Sequence, residues 1–233
     1  MWKIINIRTN VLQYRKIYIT HSVKYFTTGR INTKCKKCGT IINPAEVLCF
    51  FCKDCNWPVD SKQLEQLNPF HIFKMEPRYK IDRTQLSQEY KRYQFLLHPD
   101  KHTSKETDEL AIINNNSSII NESYRTLIDD KARAKLCFCI KYGEEEFNNA
   151  MKTTDPAQLE QIMEMNEQLD ELQNTEEAKL MYNNFASIIQ NCVKALENAF
   201  EDDDKQEIIT TFKTLSFYMQ LMGRIKDMYN VSE

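Results

Sequence analysis

Glycine and proline are scarce. Four glycines and six prolines in 233 residues leave long stretches free to be helical. With 42% hydrophobic and 27% charged residues, this is a helix-rich, soluble composition with apolar material for real cores, long enough for two or three modules. No run approaches the roughly 18 apolar residues of a membrane span, so no membrane partner is expected. Acidic residues are missing from the start of the chain, the first being Glu46. Lys3, Arg8, Arg15, Lys16, Lys24 and Arg30 precede it among apolar and hydroxyl residues. Such a basic, potentially amphipathic N-terminus, without the continuous apolar core of a secretory signal, reads as a mitochondrial targeting segment over residues 1–31, with the mature protein in the matrix. That compartment keeps thiols reduced, which argues against reading the eight cysteines as four disulfides.

The net charge of −2 hides a gradient: +7 over residues 1–60, zero over 61–150 and −9 over 151–233. Such asymmetry points to modules with different partners. The acidic third argues against nucleic acid, whose phosphates would repel it.

Cys35 and Cys38 stand two residues apart, as do Cys52 and Cys55, with thirteen residues between the pairs. Two short turns facing each other can supply the four thiolates of a tetrahedral site. The spacing predicts a small knuckle or ribbon over residues 32–60 holding structural Zn2+, with iron as the alternative. Gly39 suits the tight turn after Cys38. Cys49 and Cys52 share the same spacing. The pair Cys52/Cys55 is preferred because Phe50 and Phe51 then pack beneath the site. A four-thiolate site has no open position for catalysis, so the metal reads as a clip for a module too small to own a core. Cys137, Cys139 and Cys192 lie in helical patterns and read as core; a metal-transfer role for Cys137/Cys139 is the alternative.

Asn68 and Pro69 open a short helix. Asp82 with Gln85 forms a capping-box pattern, and Leu86, Tyr90, Tyr93 and Leu97 follow at helical spacing. Pro99 ends that helix. After a polar loop, Leu110, Ile113, Ser117, Ile120, Tyr124 and Leu127 mark a second long helix. The two predict an antiparallel hairpin with His98-Pro99-Asp100 exposed at its tip and Lys91 and Arg92 on its polar face. No nucleophile accompanies His98, which argues against a general base; the chain is not expected to be an enzyme.

Residues 68–135 resemble a J domain, through the helix from Pro69, the helix 83–97, His98-Pro99-Asp100-Lys101 and "INESYRTLIDDKARA" at 120–134. The resemblance implies that His98, Pro99 and Asp100, supported by Lys91 and Arg92, contact a DnaK/HscA-type chaperone and stimulate its ATPase.

In the acidic third, Asp155 and Pro156 open a helix carrying Ile162, Met165, Leu169 and Leu172. Met181, Phe185, Ile188, Cys192, Ala195 and Ala199 mark a second, and Ile208, Phe212, Leu215, Met219 and Met222 a third. Short turns between them predict an antiparallel three-helix bundle, so the fold class expected is all-α. Leu159, Met163 and Phe217 miss these stripes. Beside Glu160, Glu164, Glu167 and Asp170, Leu159 and Met163 suggest a partner site, although single exposed apolar residues are also ordinary.

The order of modules, with "FFCKDC", "RAKL" and above all "MEMNEQLDEL", is similar to the HscB family of iron–sulfur cluster co-chaperones in its mitochondrial, zinc-bearing form. That resemblance implies a J domain at 68–142 and a bundle at 150–230 that binds an IscU-type scaffold through Leu159, Met163, Glu164, Glu167, Asp170 and Phe217. The chain departs from the bacterial form in the order around Glu160, Gln161 and Ile162, and in Cys49 and the Cys137/Cys139 pair. A J-domain co-chaperone with another client is the alternative.

Overall fold

The computed structural model describes residues 33–42, 50–65, 67–153 and 156–229. The expected targeting segment 1–31, Cys49 and Asp155 lie outside them, as do the side chains of Pro99, Pro156, Leu159, Gln161 and Ile162. Among the described residues, apart from one antiparallel pair, β1 (Thr33–Lys34) and β2 (Ile41–Ile42) with Thr33 opposite Ile42, the regular structure is helical. The chain forms two compact units. The first runs to Asp129 without Arg78–Lys80; the second joins Arg78–Lys80 to everything from Asp130 onward.

In the first unit, β1 and β2 belong to a cysteine-bearing module followed by α1 (Ser61–Leu64), α2 (Pro69–Ile72), α3 (Arg83–Leu97) and α4 (Thr107–Ile128). The caps fall where the sequence places them. Asn68 Oδ1 accepts from the His71 amide at 2.9 Å, and Asp82 Oδ1 accepts from the Thr84 and Gln85 amides at 2.8 and 3.0 Å. α3 and α4 pack together around buried Phe70, Phe73, Leu86, Tyr93, Leu97, Ile113, Ile120 and Leu127. The Tyr93 hydroxyl donates to the Ile72 carbonyl at 3.0 Å.

The buried face of α4 is rotated from the expected stripe. Glu109, Asn116 and Ser123 are buried with Ile113, Ile120 and Leu127, whereas Leu110, Ser117 and Tyr124 are only half-buried. Polar residues sit inside because partners meet them there: Asn116 Nδ2 donates to the Val59 carbonyl at 3.0 Å, and Glu109 accepts from Lys105 at 2.7 Å.

The second unit comprises α5 (Asp130–Tyr142), α6 (Glu144–Lys152), α7 (Pro156–Asp170), α8 (Thr175–Glu201) and α9 (Lys205–Tyr229). α6 is absent from the sequence reading. Gly143 makes it possible, since φ +96° turns the chain between α5 and α6 where a Cβ would be strained. Phe147 then packs edge-on against both Phe138 and Phe212, at 5.6 and 5.1 Å. α8 and α9 form a long hairpin turning through Asp202–Asp204, and α7 packs on α9, giving the expected bundle. Asn174 caps α8 by accepting from the Glu177 amide at 2.9 Å. The buried faces are broader than single stripes. Ala178, Tyr182, Phe185 and Leu169 meet Leu221 and Ile225 in one cluster, and Phe217 is partly buried against it. The placement of Phe217 outside the packed faces is therefore corrected: α9 is covered on more than one side.

Arg133 is the most demanding residue of this unit, a cation 2% exposed. Its Nε donates to the Tyr79 carbonyl at 2.7 Å, its guanidinium pairs with Asp130 and lies 4.8 Å from the Tyr79 ring centre. Tyr79 in turn stacks on Phe200 at 5.2 Å, which binds the short segment Arg78–Lys80 into the helical unit. Arg133→Ala removes the Nε donor from the Tyr79 carbonyl and the guanidinium from the Asp130 carboxylate. Because Asp130 retains some access to water, the cost sits near the low end for a broken buried pair, about 3 kcal/mol, read as a lower urea midpoint for the transition carrying the helices of residues 130–229.

Candidate functional site

The cysteine-bearing module consists of two knuckles of like geometry. In the first, Cys35 N–H donates to the Thr40 carbonyl at 2.8 Å and Gly39 N–H to the Cys35 carbonyl at 2.9 Å; in the second, Cys52 N–H donates to Trp57 at 2.7 Å and Asn56 N–H to Cys52 at 2.9 Å. The residue after each second cysteine is left-handed, Gly39 at φ +76° and Asn56 at φ +55°. Asn56 was not singled out from the sequence, although asparagine is among the residues that tolerate this conformation best. The Thr40 hydroxyl donates to Asp54 at 2.6 Å and ties one knuckle to the other.

The four sulfurs of Cys35, Cys38, Cys52 and Cys55 lie within 4.8 Å of one another. The Cys35–Cys55 and Cys38–Cys52 separations are 3.5 and 3.6 Å. A tetrahedral cation bound at about 2.3 Å places its sulfurs roughly 3.8 Å apart, so the donor set fits a metal. Hydrogen bonding with Thr40, side chain first and then backbone, brings the Cys38 thiol down to about 6, while burial pushes Cys55 up to about 12. Coordination would deprotonate both. Phe50 and Phe51 do not pack beneath the sulfurs as expected. Ile42 and Val59 fill that place with Trp57, while Phe50 meets Tyr93 edge-on at 5.1 Å.

The tip follows directly on α3. His98 ends that helix in extended conformation, and Pro99–His102 form a 3₁₀ helix rather than the open polar loop the sequence suggests. His98 Nδ1 accepts from the Asp100 amide at 3.3 Å. The side chains of His98 and Asp100 are 54% and 87% exposed. Lys91 and Arg92 are exposed on α3, but Arg92 is engaged, pairing with Glu89 at 2.7 Å and lying 5.1 Å from the Tyr93 ring centre. His102, missed in the sequence, turns inward and is 8% exposed.

On α7, Met163 is 58% exposed, with Glu164 and Glu167 also exposed. Asp170 is exposed but pairs with Arg224 at 2.7 Å, and Arg224 also binds Asn166. The side chain of Leu159 lies outside the described residues. Phe217 and Asn166 line a cavity of about 250 Å³ with Lys131, Ser216, Gln220 and Leu221. Among the described residues no helix is long and apolar enough to cross a membrane.

Fold and site together define a J-domain-like helical protein with a tetracysteine cluster. Residues 154–226 match the family described as the HSCB C-terminal oligomerisation domain. The chain is 28% identical over 162 residues to the co-chaperone protein HscB homolog of Mannheimia succiniciproducens, covering 68% of this chain and 94% of that one. It is 24% identical over 197 residues to the iron–sulfur cluster co-chaperone protein HscB of Homo sapiens, covering 83% and 81%. The crystal structure of human co-chaperone protein HscB superposes with a TM-score of 0.71 at 22% identity over 83% of this chain and 97% of that one, a likeness of fold. Over residues 154–226 the chain thus matches the HSCB C-terminal domain, and along most of its length it is similar to HscB-type co-chaperones.

Proposed function

We propose that this chain serves iron–sulfur cluster assembly by bringing an IscU-type scaffold to a DnaK/HscA-type chaperone. The C-terminal bundle, residues 150–230, holds the scaffold on the face of α7 carrying Leu159, Met163, Glu164, Glu167 and Asp170, with Phe217 contributing from α9. The J domain, residues 68–142, presents His98, Pro99 and Asp100 to the chaperone, and Lys91 and Arg92 steer the encounter. Cys35, Cys38, Cys52 and Cys55 hold Zn2+ as a structural ion, and the acid-free N-terminus directs the protein to the mitochondrial matrix. Carrying both surfaces on one chain makes the second encounter intramolecular and raises its effective concentration.

The observation that carries this reading is Met163. It is a large apolar side chain 58% exposed among exposed acids, within the segment that matches the HSCB C-terminal domain. Asp170 is the weakest contributor, because contact requires it to share or leave Arg224.

The test is titration of the purified chain against the IscU-type scaffold of its own organism, with Met163→Ala and Met163→Ala/Phe217→Ala beside wild type. A central hot spot is worth about 2 kcal/mol, roughly thirtyfold in Kd. Phe217 is partly buried, so thermal unfolding of the double variant accompanies its binding curve, while the single variant carries the decision. Binding by wild type that Met163→Ala weakens supports the scaffold site. A folded wild-type chain that binds no scaffold leaves a J-domain co-chaperone with another client.

A further inference from the structure

Two residues of the second knuckle reach the tip, and each adjoins a sulfur ligand. Phe51 precedes Cys52, and its ring lies against the His102 imidazole with centroids 5.1 Å apart and planes inclined by 32°. Asn56 follows Cys55, and its carbonyl accepts from Lys105 Nζ at 3.1 Å. His102 is the last residue of the 3₁₀ helix that starts at Pro99, and its Nε2 stands 2.9 Å from the carbonyl of Leu96 in the final turn of α3. Lys105, three residues on, has a side chain only 15% exposed. Besides Asn56 it bonds Glu109 at 2.7 Å and lies 5.7 Å from the Phe51 ring centre. The Lys101 and Lys105 amides close the segment onto the His98 and His102 carbonyls at 3.0 and 2.9 Å.

We infer that the second knuckle, closed on its metal, is a positioning element for His98–Asp100, acting through Phe51 on His102 and through Asn56 on Lys105. The physical chain is short. Cys52 and Cys55 hold the ends of a turn whose backbone is otherwise closed by the Cys52–Trp57 and Asn56–Cys52 bonds and an isolated bridge from Phe51 to Pro58. Ligation fixes both ends of that turn, and with them the ring of Phe51 and the left-handed carbonyl of Asn56. A 3₁₀ helix of this length has poor intrinsic stability, so an exposed tip built on one depends on what packs against it. Metal content and presentation of the tip are thereby linked, and the cysteine module contributes more than its own stability. The consequence for chaperone stimulation rests on the functional reading proposed above; the positioning itself does not.

The test uses the full chain in three states: loaded with Zn2+, stripped by a chelator, and loaded Phe51→Ala. The readout is amide hydrogen exchange over residues 100–105. Exchange at least about tenfold faster is expected in the stripped chain and in loaded Phe51→Ala, with metal content of the variant and exchange in α8 and α9 unchanged. Residues 100–105 exchanging at the wild-type rate in both would overturn the inference. If Phe51→Ala fails to retain metal, loaded His102→Ala takes its place, since it leaves both cysteine pairs and their neighbours intact and is expected to loosen the same amides. Stimulation of a DnaK-type ATPase by the same samples separates the two readings. A loosened tip that stimulates undiminished refutes the functional consequence of positioning. A loaded wild-type chain that stimulates nothing refutes the chaperone reading, while the exchange data still decide the positioning.

Discussion

Asp100→Asn is expected to lower stimulation of a DnaK-type ATPase by roughly tenfold or more, the size of an ordinary coupling free energy of about 1.4 kcal/mol. The substitution is nearly isosteric and removes only charge. The side chain is 87% exposed, and the backbone amide of residue 100, which donates to His98 Nδ1 at 3.3 Å, is retained. Neither α3 nor the buried His102 depends on the carboxylate, so thermal stability and scaffold binding are expected to stay at wild-type values. A steady-state ATPase assay over a range of co-chaperone concentrations reads the effect. Stimulation unchanged in a folded Asp100→Asn chain would show that the tip is not the contact.

Removing the metal is expected to have the largest structural effect. Among the described residues the cysteine module has little core of its own: Ile42 and Val59 are the aliphatics buried beside Cys35 and Cys52. At about 1.5–3 kcal/mol for each aliphatic side chain, two such residues are too few to order a module of this kind without the cation proposed for it. A chelator, or Cys52→Ser, should therefore release the ion and disorder residues 33–42 and 51–58, while α8 and α9 persist. Trp57 packs against the module's cluster and reports the loss as a red shift of fluorescence, best read in a Trp2→Phe background. Ligation needs thiolates, so affinity falls as pH falls. Cys38, already held down to about 6 by Thr40, keeps its thiolate to lower pH than an ordinary cysteine. Chelation that leaves Trp57 emission and the module's amides unchanged would show that the module folds without metal.

Much of this protein was legible in residue patterns, because the signals were local. Helix starts at Asn68 and Asp82 follow from side chains that cap the nearest amides, and such bonds form within three residues whatever the rest of the chain does. The sulfur set was readable because two short C-x2-C turns converge only on a small tetrahedral site. The stop at Pro99 needed only the steric rule for the residue before proline.

Inward residues were less legible wherever a helix meets more than one neighbour. Hydrophobic periodicity alone misplaced the inner face of α4, where Asn116 and Glu109 are buried on partners supplied by Val59 and Lys105. It also left Phe217 outside a cluster in which it is partly buried. α6 was missed because its single buried residue, Phe147, makes no stripe, and its packing comes from Phe138 and Phe212.

The sequence by itself determined the helix caps, the all-α class, the cluster of four cysteines and the exposure of His98 and Asp100, since each depends on groups a few residues apart or on a spacing that one geometry satisfies. Only the tertiary structure decided that Arg133 is held by Tyr79 and Asp130, that Asp170 is shared with Arg224, and that Phe51 and Asn56 reach His102 and Lys105. Those contacts join residues that composition and periodicity leave unrelated, and they arise because packing brings polar and aromatic groups from distant segments within bonding distance.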